Sequence, residues 1–392
     1  MSRLRRLGLP VLAVALTTAL TACGGEPSGS AGPDPTTATP RPTSAGSPSA
    51  TGSAGASATG SPDADQPATA PKVVGTVATD LEVPWGTDFL PDGSALVTER
   101  DRGHVLHLTG SRNARVADLG AIEQSVSGGE AGLLGLAVSP DFARDHRVFV
   151  YTTTDNDNRV LRMTFRDGRL GEADAILTGI PRGSIHDGGR LEFGPDGYLY
   201  VSTGETGQGE LAQVKSSLAG KILRIDQDGE PAPGNPFGSP VWSYGHRNVQ
   251  GLAFDADGRL WASEFGQNTW DELNLIERGR NYGWPVVEGR SARGEFRNPQ
   301  VVWRTSEASP SGLAFADGRL WLASLRGERL WRIDVRGGRA TDPTDFFVGK
   351  YGRMRTVVLA PDGNLWVATS NRDGRGDPAP ADDRILLVDP GR

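Results

Sequence analysis

The chain has 392 residues, a formal net charge of −7 at pH 7, a single cysteine, 53 glycines and 27 prolines. The negative charge argues against a nucleic-acid-binding surface, which needs clustered positive charge to neutralise phosphates. One cysteine excludes a disulfide within the chain. Abundant Gly and Pro, with few apolar stretches of helical period beyond the N-terminus, predict an all-β protein of short strands and turns.

The N-terminus has the composition of an export signal. Three arginines precede an apolar run over residues 7–22, which is too short for a permanent membrane-spanning helix. The run ends in Leu-Thr-Ala-Cys at Cys23, which resembles the lipobox of bacterial lipoproteins. We therefore expect residues 1–22 to be removed as a signal peptide and Cys23 to carry a lipid. This lipid would anchor the protein to the outer face of the cell membrane and be its only membrane contact.

Residues 23–70 form a second segment, which consists largely of Ser, Thr, Gly, Ala and Pro. This composition offers too little apolar surface to offset the entropy lost on ordering. We predict a disordered, lipid-anchored linker with a reach of about 35–40 Å, from roughly 5–6 Å times the square root of its length.

From residue 71 onward a unit recurs, in which an apolar strand, a turn and a second apolar strand follow one another. Five copies have Asp-Gly at the turn, a strong hairpin signal because Gly accepts a positive φ. A sixth copy is degenerate. The copies lie at residues 88–93, 135–141, 190–197, 251–258, 312–318 and 357–363. Hairpins at intervals of about 45–60 residues leave room for about four strands each, which predicts a six-bladed β-propeller over residues 71–392.

A histidine and a glutamate that do not belong to this repeat lie at the two ends of one predicted hairpin. His186 stands before one predicted strand and Glu205 follows the next. The two could therefore pair across a blade as an imidazole base held by a carboxylate. On spacing alone, a structural histidine bonded to a loop carbonyl explains His186 at least as well.

A second polar cluster lies at residues 246–250, immediately before a predicted innermost strand. It contains His, Arg, Asn and Gln side chains, namely His246, Arg247, Asn248 and Gln250. Polar side chains at the mouth of a propeller channel are costly to desolvate without a ligand. A solvated loop is an equally good explanation of this cluster on its own.

Two further clusters suit a cation and an anion. Residues 263–268, 271–274 and 281–285 are rich in Gly and oxygen donors, which suits calcium. Their spacing matches no EF-hand, however, and a plain loop explains them equally well. Arg353 and Arg355 lie two apart, on the same side of a predicted strand, and Arg326 precedes them. Together they could hold an anionic ligand, but surface arginines are the simpler interpretation.

Six segments of the sequence, taken together and in order, are more specific than any single motif. They are residues 128–135 (Gly-Gly-Glu-Ala-Gly-Leu-Leu-Gly), His186 with Gly189-Arg190-Leu191, residues 245–251, residues 271–274, residues 281–285, and the Arg353/Arg355 pair. In this order they resemble the soluble quinoprotein sugar dehydrogenases, the glucose/sorbosone dehydrogenase family. The similarity extends over about residues 73–388. It implies a six-bladed propeller that uses pyrroloquinoline quinone (PQQ) with calcium, in agreement with the blade count.

The resemblance also implies catalytic roles for three residues. His186 would remove the proton from the anomeric hydroxyl while hydride passes to the quinone. Glu205 would orient and polarise His186, although many relatives carry Asp at that position. Arg247 would polarise the reacting quinone carbonyl and stabilise the oxyanion that forms there.

The same resemblance implies how the cofactors would be held. The positions near PQQ are Glu130, Arg247, Asn248, Gln250, Arg326, Arg353 and Arg355, of which the four arginines would offset its three carboxylates. Arg326 stands where many relatives have Lys, which changes the shape of the cation. Calcium would bind the main-chain carbonyls of Gly266 and Gln267, and Gln267 departs from the Pro common in relatives.

The function implied is PQQ-dependent oxidation of an aldose sugar to a lactone. Electrons would pass to an external acceptor, because the chain has no Cys-x-x-Cys-His haem motif. Two alternatives use the same fold: a calcium-dependent hydrolase, which needs several carboxylate or amide side chains around an ion, and a propeller that binds a ligand without catalysis. No motif indicates which sugar would be oxidised.

Overall fold

A computed structural model describes residues 69–391 of the chain. The predicted signal peptide, the lipid site at Cys23 and all but the last two residues of the predicted linker lie outside the described residues. Within residues 69–391, helices are limited to two short segments: the α-helix Phe142–Asp145 and the 3-10 helix Gly209–Gln213. None of the helices in this range is long and apolar enough to cross a membrane.

The described chain folds into six antiparallel sheets, which confirms the all-β, six-bladed propeller. The first blade contains β2 (Pro84–Phe89), β3 (Ala95–Glu99), β4 (His104–Thr109) and β5 (Arg115–Ala121). The second contains β6 (Leu133–Val138), β7 (Arg147–Thr153), β8 (Asn158–Arg166), β9 (Arg169–Leu170) and β10 (Asp174–Ile180). The third contains β11 (Leu191–Phe193), β12 (Leu199–Ser202), β13 (Lys221–Ile225) and β14 (Val241–Tyr244).

The remaining three blades repeat this order. The fourth contains β15 (Val249–Phe254), β16 (Leu260–Glu264), β17 (Trp270–Ile276) and β18 (Val301–Arg304). The fifth contains β19 (Pro310–Ala316), β20 (Arg319–Ser324), β21 (Arg329–Arg336) and β22 (Arg339–Phe346). The sixth contains β23 (Met354–Leu359), β24 (Leu365–Thr369), β25 (Ile385–Asp389) and β1 (Lys72–Ala78).

The ring closes through the two ends of the propeller domain. Strand β1 pairs antiparallel with β25, so the first strand of the domain completes the last blade. Closure of this kind ties the two ends of the propeller domain together.

The recurring Asp-Gly turns join the first two strands of five blades. Their glycines all have positive φ values, from 75° at Gly258 to 82° at Gly93 and Gly363. The Asp side chain fixes the turn as well, since Asp92 Oδ1 accepts the N–H of Ser94 at 2.9 Å. In the second blade the degenerate copy lacks Asp-Gly, and the helix Phe142–Asp145 takes the place of the tight turn.

Large side chains pack between adjacent blades. Trp85, Trp261 and Trp321 are at most 1% exposed. Each buried aromatic side chain removes about 150–250 Å² from water, worth roughly 4–6 kcal/mol at 25 cal/mol per Å². The indole N–H of Trp261 donates to Asp255 in the turn of its own blade at 2.8 Å, so turn and core are linked.

The innermost strands surround a central channel, and Arg190 lies across it. Its Nε donates to the carbonyl of Gln250 at 2.9 Å and one of its terminal nitrogens donates to the carbonyl of Trp85 at 3.3 Å. The guanidinium also lies 4.2 Å from the centre of the Trp85 ring. Arg190 therefore connects the third blade to the first and to the fourth. It lies between two cavities, an upper one where the inner strands begin and a lower one where they end.

Candidate active site

The upper cavity has a volume of about 410 Å³. It is formed where chain segments enter the inner strands, together with loops that follow second strands. Its lining residues are Arg100, Glu130, His186, Arg247, Asn248, Gln250, Phe265, Gly266, Ser309, Leu325, Arg326, Arg353, Arg355, Asp373 and Arg375. Nine residues selected from the sequence are in this set. Of the other two selected positions in the propeller, Glu205 lies behind His186, and Gln267 is not part of the lining.

His186 and Glu205 form a hydrogen-bonded pair at the wall of this cavity. His186 Nδ1 lies within hydrogen-bond distance of Glu205 Oε1, and because a carboxylate only accepts, Nδ1 is the donor. The His186 side chain is 12% exposed and that of Glu205 is 3% exposed. The second carboxylate oxygen of Glu205 is buried without a hydrogen-bond partner among the described residues. The pair therefore has the geometry of an imidazole base whose far nitrogen is left for a ligand.

Glu130 connects several loops around His186. Its Oε2 accepts the backbone N–H of His186 at 2.9 Å and the Asn248 amide at 3.4 Å, while Oε1 accepts from Arg375 at 3.0 Å. Burial raises the pKa of the Glu130 carboxyl, but these donors outweigh burial and hold the pKa below its usual value. Glu130 is therefore an ionised anchor that positions the backbone of His186.

Arg247 is held in place by a backbone hydrogen bond and by contact with an aromatic ring. Its side chain makes no ion pair with a carboxylate among the described residues. Its N–H donates to Glu264. The guanidinium donates to the carbonyl of Phe265 at 3.3 Å and lies 5.4 Å from the centre of the Trp284 ring. Burial lowers the pKa of Arg247, and its Nε is buried without a partner among the described residues. Such a donor is costly to leave unsatisfied, which indicates room for a ligand acceptor.

Behind Arg247 lies a buried histidine. His246 Nδ1 is 2.9 Å from Glu264 Oε2, and His246 Nε2 is 2.9 Å from the hydroxyl of Ser243. The ring of His246 stacks on that of Tyr282, with 4.6 Å between the ring centres. The clustered polar residues of the sequence therefore divide: Arg247, Asn248 and Gln250 line the cavity, whereas His246 supports them from behind.

Arg353 and Arg355 share one carboxylate. Asp373 Oδ2 accepts from Arg353 at 2.9 Å and from Arg355 at 3.1 Å. Burial lowers the pKa of Arg355 to about 10. Arg355 also donates to the Ser370 hydroxyl at 2.8 Å and to the side-chain oxygen of Gln250 at 3.4 Å. Asp373 thus keeps two like charges close together at the cavity wall.

The lining has a large excess of positive charge, with six arginines and two carboxylates. Four of the arginines have carboxylate partners, because Arg100 pairs with Asp101 at 2.6 Å and Arg375 pairs with Glu130. Arg247 and Arg326 make no ion pair with any residue of the described chain. The cavity therefore suits a ligand that carries several negative charges.

The loop over residues 265–270 borders the cavity through Phe265 and Gly266. Between residues 69 and 391 no group of three or more His, Cys, Asp or Glu side chains has the arrangement of a metal site. A cation at this loop would therefore depend on main-chain carbonyl oxygens, which are ligands that calcium accepts.

Sequence reasoning missed Arg100, Asp373 and Arg375. All three follow an apolar strand: Arg100 follows β3, and the other two lie in the loop after β24. The polar run Ser370-Asn371-Arg372-Asp373, directly after that strand, was the available signal. The residues after β12 that include Glu205 are likewise polar and directly follow an apolar strand.

Comparisons with known proteins agree with this geometry. The family model described as Glucose / Sorbosone dehydrogenase matches residues 81–385. A PQQ-bound aldose sugar dehydrogenase from Streptomyces coelicolor is 53% identical, with a TM-score of 0.80 over 82% of this chain and 99% of that one. The aldose sugar dehydrogenase of Escherichia coli is 30% identical over 75% of this chain and 89% of its own. Quinoprotein glucose dehydrogenase B of Acinetobacter calcoaceticus is 32% identical over 54% of this chain and 52% of its own.

Proposed function

The chain belongs to the glucose/sorbosone dehydrogenase family of oxidoreductases, and we propose that it oxidises aldose sugars at the anomeric carbon to lactones, with PQQ as cofactor. The observation that carries this proposal is the pairing of His186 with the buried Glu205 at the wall of a cavity that six arginines line. An acid-held imidazole suits removal of a hydroxyl proton, and the arginines suit an anionic cofactor.

His186 would act as the general base. Its Nδ1 faces Glu205, so Nε2 is the nitrogen that accepts the proton of the anomeric hydroxyl. The imidazolium formed in this way gains a charge-assisted hydrogen bond to Glu205, which stabilises it. Glu130 holds the backbone of His186 and so fixes the position of the ring relative to the cavity.

The arginine-rich lining fits PQQ. Three carboxylates on one ligand require several cations to offset their desolvation, and Arg247, Arg326, Arg353 and Arg355 supply them. When bound, PQQ would supply the acceptor for the hydride that leaves the sugar carbon. Arg247 has an unpartnered buried Nε, which can donate to an oxygen on which negative charge develops. Asn248 and Gln250 complete the polar wall next to it.

Calcium and the external partners complete the proposal. The carbonyls of Gly266 and Gln267 would hold calcium together with the cofactor. Electrons would leave to a separate acceptor, because the sequence contains no haem-attachment motif. The protein would work outside the cytoplasm, with a lipid on Cys23 as its anchor.

The test is dye reduction by the purified protein, supplied with PQQ and calcium and a panel of aldoses. We expect activity that needs both additions, and that falls about 1,000-fold in His186→Ala because general-base catalysis is lost. His104→Ala is the matched control, since His104 pairs with Asp118 on the outer part of the first blade. Absence of dye reduction, with no quinone absorbance retained after desalting, would reject the proposal and leave a hydrolase or a binding propeller.

A further inference from the structure

One carboxylate oxygen organises the loop at residues 265–270, between β16 and β17. Glu288 Oε1 accepts four consecutive backbone N–H groups, each at 2.8 to 3.0 Å, from Gln267, Asn268, Thr269 and Trp270. Glu288 belongs to another connection, the one between β17 and β18, and it does not line the upper cavity. Hydrogen bonds from backbone N–H groups to an ionised carboxylate are among the stronger ones in proteins.

Asp271 holds the amide of Gly266, the residue directly before these four. Its Oδ1 accepts the N–H of Gly266 at 2.9 Å, and its Oδ2 accepts the N–H of Ser309 at 2.6 Å. The Asp271 residue is 1% exposed. Two carboxylates therefore occupy every backbone N–H from Gly266 to Trp270.

This arrangement determines the direction of the carbonyl groups. In a planar trans peptide, the carbonyl of one residue points opposite to the N–H of the next. The carbonyls of Gly266 and Gln267 precede the N–H groups of Gln267 and Asn268, which both point at Glu288. The two carbonyl oxygens therefore lie on the side of the loop that faces away from Glu288.

A glycine is needed at the bend of this loop. A Cβ on Gly266 would lie 2.0 Å from the carbonyl oxygen of Trp270 and 2.7 Å from Glu288 Oε1. Contacts this short are forbidden, so the chain can approach Glu288 in this way only without a side chain. The amide that Gln267 donates is also one that a proline at this position would lack.

We propose that Glu288 is a positioning residue for the cation site. By binding the amides from behind, it aims the carbonyl oxygens of Gly266 and Gln267 at a divalent cation and adds a negative charge on the far side of the loop. The inference rests on the proposed function, since it concerns the calcium that accompanies PQQ. It explains how a chain with Gln at position 267 preorganises a site made of main-chain oxygens.

The experiment measures calcium binding rather than turnover. The PQQ-loaded protein is titrated with Ca²⁺ by calorimetry, and hydrogen–deuterium exchange follows the amides of residues 267–270. We expect Glu288→Ala to raise the Kd for Ca²⁺ at least tenfold and to speed exchange of these amides. Glu288→Gln, which keeps an acceptor oxygen without the charge, should lie between Glu288→Ala and the wild type. Glu295→Ala is the matched control, because Glu295 lies in the same connection and pairs with the neighbouring Arg293.

The outcomes separate this inference from the proposed function. If the wild type binds Ca²⁺ and oxidises aldoses, and both Glu288 variants bind Ca²⁺ within twofold of it, the positioning role is wrong and the dehydrogenase stands. If PQQ-loaded wild type takes up no Ca²⁺, the cation site and this inference are wrong, and dye reduction by the same sample decides whether the dehydrogenase stands. If Glu288→Ala does not fold, the Kd of Glu288→Gln decides, and an unchanged value contradicts the inference.

Discussion

The two ends of the central channel are built by the same six inner strands, yet their chemistry is opposite. The upper cavity is lined by six arginines. The lower cavity, of about 250 Å³, is bordered mainly by Leu, Ala, Val and Phe residues of the inner strands, with a single arginine, Arg190, and the carboxyls of Asp88 and Glu192 among them. The lower lining comes from the repeated ends of the inner strands. The upper lining comes from residues at or just before the starts of those strands and from loops that follow the second strands of the blades.

The pKa values of carboxyl groups at the two ends of the channel are shifted in opposite directions. At the lower end, burial raises the pKa of Asp88 to about 6 and that of Glu192 to about 8. At the upper end, burial also raises the pKa of Asp373, but Arg355 and Arg353 outweigh it and lower the pKa overall. The repeated hairpins therefore build the propeller itself. Residues outside the repeat make only the upper end suited to an anionic ligand.

The largest expected effect, on stability, comes from removing the Asp373 carboxylate at the upper end. Asp373→Asn leaves Arg353 and Arg355 without their shared partner, and we expect a loss of about 3 kcal/mol of unfolding free energy at pH 7. The folded pKa of Asp373 lies below its ordinary value of 3.8, so its contribution is present above that pH and disappears as pH falls through the folded pKa. The measurement is urea unfolding between pH 3 and pH 7.

A neighbouring aspartate provides the control for this substitution. Asp377 lies in the same loop, is exposed, and makes no ion pair with any residue of the described range. Asp377→Asn should change stability by no more than about 0.5 kcal/mol. Equal stability of the two variants at pH 7 would contradict the role of Asp373.

The second prediction concerns catalysis at the upper end. Glu205→Gln removes the charge that stabilises the His186 imidazolium, and we expect kcat to fall about 100-fold. Retention of PQQ should not change, because Glu205 lies behind His186 and does not line the cavity. Dye-linked kinetics measure kcat, and quinone absorbance after desalting measures retention. Glu210→Gln is the control, since Glu210 is exposed a few residues along the chain. An unchanged kcat of Glu205→Gln, or a fall in activity that only reflects lost PQQ, would refute the assignment.

The third prediction tests the barrier between the two ends. Arg190→Ala removes the donors to the carbonyls of Gln250 and Trp85, and we expect a loss of about 2 kcal/mol of unfolding free energy. The loss is moderated because burial, which lowers the pKa of Arg190 to about 9, already disfavours its charge. Urea unfolding checks it against Arg326→Ala, whose exposed side chain should cost no more than about 0.5 kcal/mol. A variant as stable as the control would mean that Arg190 does not join the blades.

The frame was predictable because it repeats. An Asp-Gly turn needs a positive φ, so each copy indicates a hairpin locally, and six copies indicate the ring. The degenerate copy at residues 135–141 still marked a blade, although a short helix replaces its turn. Closure by β1 could not be predicted, since nothing in the strand itself names its partner β25.

The site was predictable only in part. Resemblance selected nine residues of the upper lining, because they lie in motifs that interrupt the repeat. It did not find Asp373 or Arg375, whose partners Arg353, Arg355 and Glu130 are distant in sequence. Nor could spacing show that Glu288, in a connection without a motif, holds the loop of Gly266. Such contacts depend on how the ring brings loops of different blades together.

The smallest expected effect lies at the lower end and has the opposite sign to that of Asp373. The unfolded chain ionises Glu192 near its ordinary pKa of 4.5, whereas the folded chain resists ionisation until about pH 8, so this residue costs stability as pH rises between those values. The carboxyl has no hydrogen-bond partner among residues 69–391, but it borders a cavity that can admit water. We therefore expect Glu192→Gln to match the wild type at pH 4 and to be about 1 kcal/mol more stable at pH 9. Thermal unfolding across this range measures the difference, with the exposed Glu230→Gln as control. A constant difference between Glu192→Gln and the wild type at all pH values would show that the Glu192 carboxyl has the same pKa in the folded and the unfolded chain. The contrast between the two ends would then rest on the arginines alone.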